Sequence, residues 1–197
     1  MEFLAAVKNR RSIYGLGKDI NVSEERIKEI VKEAVLHTPS AFNMQSARVL
    51  LLFGEHHHKL WSIVKETLRK IVKPEAFSKT EEKINTFDAA YGSLLYFDDT
   101  AAVAAFQEQF PRYKENFAMW AQHANGMLQH VIWTALEAEG LGVNIQHYNP
   151  IIDDEVKATW GVPASWQLIA QMPFGSITEA AGDKEFAPIE ERLKIYP

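Results

Sequence analysis

The order of apolar patterns along this chain predicts an α+β fold, a central and mostly antiparallel sheet flanked by helices. Three observations carry that expectation. Short continuous apolar runs at residues 48–54, 92–97, 143–146 and 166–175 read as strands of a covered sheet. Helical three- and four-residue spacing fills the stretches around them. The resulting order of helix, helix, strand, helix, strand, helices, strand, helix, strand does not alternate regularly, which disfavours a doubly wound parallel sheet.

Composition is consistent with one globular domain over residues 1–197. Of the 197 residues, 47% are hydrophobic and 24% charged, which favours neither disorder nor a collagen-like or membrane class. A net charge of −5 argues against a protein that grips nucleic acid non-specifically, although a local basic pocket stays open. The absence of cysteine excludes disulfides, thiolate catalysis, cysteine-ligated zinc and iron-sulfur clusters. With no basic segment leading an apolar run at the N-terminus, and no stretch long enough to span a bilayer, the expected location is cytoplasmic.

Taken in order, Phe3, Leu4 and Val7 give a short amphipathic helix that delivers Arg10 to its end. Ser23 caps a second helix with Glu24 and Glu25 in its first turn and Ile27, Ile30, Val31, Ala34 and Val35 on one face. Thr38-Pro39 ends it, because the residue before proline avoids helical dihedrals. An uncharged loop, Pro39 to Gln45, leads into the first strand. His56-His57-His58 reads as a solvated helix start, since successive helical residues point about 100° apart and cannot converge on one ion.

Leu60, Ile63, Val64, Leu68 and Ile71 form the apolar stripe of the next helix, and residues 73–90 read as loop and short helix. Residues about 73–115 are expected to be an excursion from the core. The longest helix runs from Phe117 to Leu136 and stops at Gly140; its apolar stripe marks it as central, packed on the sheet or on another subunit. His123 and His130, two turns apart on it, read as interface or hydrogen-bonded core residues. Residues 151–160 make a last helix. The charged tail carries Ile189, Leu193, Ile195 and Tyr196, which suits docking on a neighbouring subunit.

Gly15-Leu16-Gly17 and Gly140-Leu141-Gly142 both lack the third glycine of a dinucleotide fingerprint, and there is no Walker loop, HExxH or GxSxG. No metal set and no catalytic nucleophile or acid–base pair stands out. What remains is a set of amides, hydroxyls and cations: Arg10, Arg11, Ser12, Ser40, Asn43, Gln45, Gln146, His147, Tyr148, Asn149 and Lys184. Arg10-Arg11-Ser12 offers paired guanidinium forks and a hydroxyl to a phosphate, or is a solvated cation pair at a helix end. Such an inventory suits an organic cofactor that performs the reaction itself, and flavin mononucleotide fits it.

Arg10-Arg11-Ser12, the stretch His37 to Gln45, Gly140-Leu141-Gly142, and Phe174-Gly175 with Lys184 together resemble the FMN-dependent nitroreductase family. The stretch Leu141 to Pro150 is similar to a subgroup containing fungal and firmicute nitroreductase-like proteins. The resemblance implies a homodimer with FMN at the subunit interface. Arg10, Arg11, Ser12 and Lys184 would hold the phosphate from one subunit, and Pro39, Ser40, Ala41, Asn43 and Gln45 would reach the flavin from the other. Gln146, His147 and Tyr148 would meet the isoalloxazine, through a backbone amide near N5. Tyr14 and Phe186 stand where the family often has a further basic residue. The implied activity is ping-pong reduction of nitroaromatic or quinone compounds with NADH or NADPH as donor; a flavin-binding regulatory protein with little turnover is the alternative.

Overall fold

Strand β3 (Gly92–Asp99) is the centre of the molecule, paired on both sides and buried from Gly92 to Asp98. The computed structural model describes residues 2–197. In chain order they form α1 (Phe3–Asn9), β1 (Gly15–Gly17), α2 (Glu24–His37), β2 (Ala47–Phe53), α3 (Gly54–Ile71), α4 (Pro74–Asp88), β3, α5 (Thr100–Gln109), α6 (Lys114–Ala138), β4 (Gly142–Val143), α7 (Asp153–Trp160) and β5 (Trp166–Glu179). Short 3₁₀ turns at Ala41–Asn43, Pro111–Tyr113 and Ile189–Glu191 complete the set. The strand order is β1-β5-β3-β2 with β4 also on β5, and every pairing is antiparallel. The expected α+β class is what forms.

Both faces of the sheet are covered, and the two-residue period of a strand sorts side chains between them. Leu94 and Tyr96, with Ala170 and Met172, pack under Ile27, Ile30 and Val31 of α2 and Leu128, Ile132 and Leu136 of α6. Leu95 and Phe97, with Leu168, face Leu60, Trp61 and Val64 of α3, Ile84 and Phe87 of α4, and Val156 of α7. Cutting Phe97 back to alanine would remove a fully buried ring and destabilise the fold by about 3–5 kcal/mol. Helix α2 starts as expected, with the Ser23 hydroxyl accepting the Arg26 amide at 3.2 Å.

Five elements differ from the sequence reading. Residues 74–88 form one long helix rather than loop and short helix. Its stripe is only Phe77, Ile84 and Phe87, hidden among charges, and Pro74 sits in its first turn. Strand β1 was not expected at all, because Gly-Leu-Gly has no pattern of its own and exists through pairing with β5. A side chain at Gly175 of β5 would fall on the Gly17 carbonyl, so this crossing requires glycine. Strand β5 extends to Glu179 because β1 and β4 both lie along it. Strand β2 is a half-buried edge strand rather than a fully buried one, and Gly54 opens α3 instead of closing the strand. Strand β4 is two residues long, and Gln146 follows as an isolated bridge to Gln171.

Helix α1 buries no residue fully, and Phe3 and Leu4 are exposed. Among the described residues no helix is long and apolar enough to cross a membrane.

Candidate functional site

Where α1 ends, Arg10 turns extended and its amide closes the helix on the Ala6 carbonyl. The Arg11 amide then donates to Glu137 Oε2 at 2.8 Å, and Arg11 Nη2 donates to the Gly182 carbonyl at 2.6 Å. The Arg10 guanidinium lies 4.4 Å from the centroid of the Trp133 ring. Trp133 Nε1 donates to Glu137 Oε1 at 2.7 Å and also reaches the Arg11 carbonyl at 3.3 Å. Burial pushes the Glu137 carboxyl above its ordinary value, against the Arg11 amide, the Trp133 indole and the two arginine charges, which all favour the ionised form.

Two neighbouring cavities meet at this turn. One, of about 510 Å³, lies between Arg10, Arg11, Ser12 and the tail residues Gly182 to Lys184. The other, of about 460 Å³, shares Arg10, Ser12 and Lys184 and continues over Gly126, Gln129, His130 and Trp133 of α6, with Ile145 at its margin. Four of the expected phosphate donors therefore border one groove. Gly126 is open, with no atom beyond its neighbours and the local helix backbone within 4 Å of where a Cβ would stand. Glycine within a helix costs about 1 kcal/mol relative to alanine, so its use here leaves the groove unobstructed at a price in stability.

The loop Pro39 to Gln45 lies elsewhere. Phe42, Asn43 and Gln45 hold φ of 55°, 56° and 51°, the left-handed region, which strains a non-glycine backbone by about 1–2 kcal/mol each. The Ser40 hydroxyl accepts the Gln45 amide at 2.8 Å and ties the loop. Phe42 lies on an aromatic group, 4.7 Å from Phe110, 5.5 Å from Phe117 and 6.0 Å from Trp120 between centroids. Pro39, Ser40 and Gln45 border a cavity of about 130 Å³ with Ala124 and Leu128, and Pro39 also borders one of about 390 Å³ with Val131 and Ala135. Neither cavity includes Arg10, Arg11, Ser12 or Lys184, and Ala41 and Asn43 border none of these. At about 100° per residue, Gly126, Gln129, His130 and Trp133 lie on the side of α6 opposite Ala124, Leu128, Val131 and Ala135. Within one chain the two expected walls are kept apart.

The third segment is clamped by Gln171. Gln146 and Gln171 exchange main-chain hydrogen bonds of 2.7 and 2.9 Å, and Gln171 Oε1 accepts the Tyr148 amide at 2.7 Å. Among the described residues the His147 amide has no acceptor, because strand alternation turns it away from β5. Gln146 is buried and its side chain donates to Asn144 Oδ1 at 2.8 Å. The Tyr148 ring joins the α3 side of the core, 6.2 Å from Trp61, and burial pushes its hydroxyl up to about 12. Besides the exposed His147 side chain, the main chain of this segment is what remains free to meet a ligand beside Ile145.

The histidine run opens α3 as expected, with His56 and His58 exposed, but departs from a solvated start at its middle residue. His57 is fully buried. Its Nε2 faces the Asp88 carbonyl at 3.1 Å, which can only accept, so the proton sits there. Nδ1 then accepts from the Ser93 hydroxyl at 2.9 Å, and that hydroxyl accepts the Trp61 indole at 3.0 Å. Desolvation lowers the His57 imidazole to about 4. His57, His58 and Asp88 offer the one group of three potential metal ligands found among the described residues. Both His57 nitrogens are occupied, and His58 Nδ1 meets Asp88 at 2.8 Å, so hydrogen bonding accounts for the cluster without an ion. His123 and His130 are exposed rather than core residues, and His130 borders the groove.

Glu137, Gly126 and Gln171 were not among the residues expected at the site, and the sequence leaves Trp133 between core and flavin pocket, with core preferred. The interruption of a helical pattern by Gly126 is a readable signal. The others gain their roles from partners far away in sequence.

Similarity to known proteins follows the same lines. Residues 7–176 match the model of the Nitroreductase family. The chain is 33% identical over 196 residues to nitroreductase FRM2 of Saccharomyces cerevisiae, spanning 98% of this chain and 96% of that protein. Nitroreductase CinD from Lactococcus lactis, solved in complexes with chloramphenicol and with 4-nitrophenol, superposes with a TM-score of 0.91 at 41% identity over the whole of both chains. A Desulfovibrio desulfuricans protein solved with FMN shares the fold at 21% identity and a TM-score of 0.71, over 98% of this chain and 96% of its own. The turn at Arg10, the strained loop after α2 and the Gln146 segment thus sit in a chain that belongs to the nitroreductase family.

Proposed function

We propose that this protein is an FMN-dependent NAD(P)H oxidoreductase of the cytoplasm, reducing nitroaromatic or quinone compounds as a homodimer with flavin between its subunits. The observation that carries the proposal is the pair of adjoining cavities that share Arg10, Ser12 and Lys184, one bordered also by Arg11 and the other left open at Gly126. Arg10 and Arg11 form no ion pair among the described residues, unlike Arg26, Arg48 and Arg69, so their charge remains available to an anion. The nitroaromatic complexes of CinD support the acceptor class.

Bound there, FMN would supply the chemistry, accepting hydride from NADH or NADPH and passing electrons to the acceptor in a ping-pong cycle. The chain's own contribution is binding and orientation. Arg10, Arg11, Ser12 and Lys184 hold the phosphate. The free amide of His147, flanked by Gln146 and Tyr148, would be the donor this segment offers to the bound flavin. Pro39, Ser40, Ala41, Asn43 and Gln45 come from the second subunit, which answers their separation from the groove across α6. Exposed Val35, Leu36, Met127 and Val131 give that second subunit an apolar surface to cover. The chain acts as one domain, in which residues 73–115 are no excursion because they carry the central strand β3, and the exposed tail around Ile189 to Tyr196 docks on the partner. No side chain is assigned as acid, base or nucleophile, and no metal takes part.

Purified protein incubated with FMN should retain a flavin absorbance band, and protein that stays colourless would refute the reading. Anaerobic stopped-flow mixing with NADH or NADPH should bleach the flavin rapidly, and 4-nitrophenol or a quinone should restore it. Binding without bleaching would favour a flavin-binding regulatory protein.

A further inference from the structure

Two adjacent arginines on an extended stretch send their side chains to opposite sides, so a pair such as Arg10-Arg11 does not by itself converge on one anion. Here Arg11 is held toward the tail by the Gly182 carbonyl, while Arg10 lies back over α6. The surface that receives Arg10 is the Trp133 ring, 4.4 Å away, and the face of an indole attracts a cation. That ring is fixed in its plane, because its N–H is shared between Glu137 Oε1 and the Arg11 carbonyl.

Glu137, one turn further along the same helix, joins the two halves. Its second oxygen takes the Arg11 amide, so one carboxylate sets the height of the arginine backbone and the angle of the ring under Arg10. A carboxylate beside an anion site would ordinarily repel the anion. This one faces an amide and an indole, and among the described residues it makes no ion pair with either guanidinium.

We propose that Trp133 and Glu137 are positioning residues for the phosphate end of the cofactor, aiming Arg10 and Arg11 together into the groove they share with Ser12 and Lys184. This rests on the reading of that groove as the FMN site. It predicts that loss of either residue weakens recognition of the phosphate and not of the flavin ring.

The test compares FMN with riboflavin, which lacks the phosphate, by fluorescence titration of the full-length protein. Wild type should bind FMN more tightly than riboflavin. Trp133→Leu should cut that preference roughly tenfold while riboflavin affinity is kept. Trp133→Phe keeps the ring but loses its anchor, and should fall between the two; its near-native shape guards against an unfolded variant. Glu137→Gln can no longer accept from both donors, so its preference should also drop. If Glu137 acted only as a repelling charge, Glu137→Gln would instead raise the preference, which overturns the proposal. So would an unchanged FMN-to-riboflavin ratio in Trp133→Leu, or an equal loss of both ligands in a folded variant. A wild type that does not distinguish the two flavins would refute the phosphate assignment itself, and is told apart by being seen before any substitution is made.

Discussion

Gln171 holds Tyr148 by its main chain, the glutamine Oε1 accepting the tyrosine amide at 2.7 Å from a fully buried position. Because the same residue exchanges both main-chain bonds with Gln146, it decides which amide of the segment faces outward. Gln171→Leu should leave the Tyr148 amide unpaired in a half-buried place, destabilising the protein by about 1–3 kcal/mol. Urea denaturation measures the loss, and hydrogen exchange at Tyr148 should accelerate more than at Leu94 in the centre of β3.

Gly126 separates helix stability from groove access. Gly126→Ala should stabilise the protein by about 0.5–1 kcal/mol, since the added methyl meets no neighbour. Gly126→Leu should fold equally well but lower FMN retention by about tenfold or more, as the longer side chain enters the groove. Thermal melts and flavin-to-protein absorbance ratios read the two effects separately.

His57 makes acid the weak side of this fold. Its imidazole is lowered from an unfolded value near 6.5 to about 4 by burial, so below 6.5 the unfolded chain takes a proton that the folded one refuses. Stability contributed by neutral His57 is therefore full above about pH 6.5 and falls as pH drops toward 4, by on the order of 3 kcal/mol over the window. Melting temperatures between pH 7 and pH 4.5 should fall more steeply in wild type than in His57→Gln, which has no group to titrate there.

Met127 and Val131 lie one turn apart on α6 and are both about two-fifths exposed, at 43% and 41%. The double substitution Met127→Glu, Val131→Glu places two charges on the surface proposed to meet a second subunit. It should convert a dimer into a monomer by light scattering and release FMN, while far-ultraviolet circular dichroism stays that of the wild type.

Much of the fold was legible because its signals are local. The Ser23 cap, the stripe of α2 and the apolar run of β3 each depend on residues within a few positions. Strand β1 and the burial of His57 were not legible, because both are set by distant partners, β5 for one and Ser93 for the other. Helix α4 was legible only as loop and short helix, because just three of its fifteen residues, Phe77, Ile84 and Phe87, are buried. At the groove, Arg10, Arg11, Ser12 and Lys184 stood out by their chemistry. Trp133 and Glu137 matter only because the fold returns them to Arg11, more than 120 positions earlier in the chain.

The three left-handed residues after α2 also constrain how this protein can change. Glycine would relieve the backbone at positions 42, 43 and 45, so a library selected only for heat resistance would drift toward glycine there. Each such step would erase a side chain, beginning with the Phe42 ring that joins the loop to its aromatic group. Heat resistance and the side chains of this short stretch therefore pull in opposite directions, so the loop proposed to reach a second subunit is also the place where added backbone stability would cost it its shape.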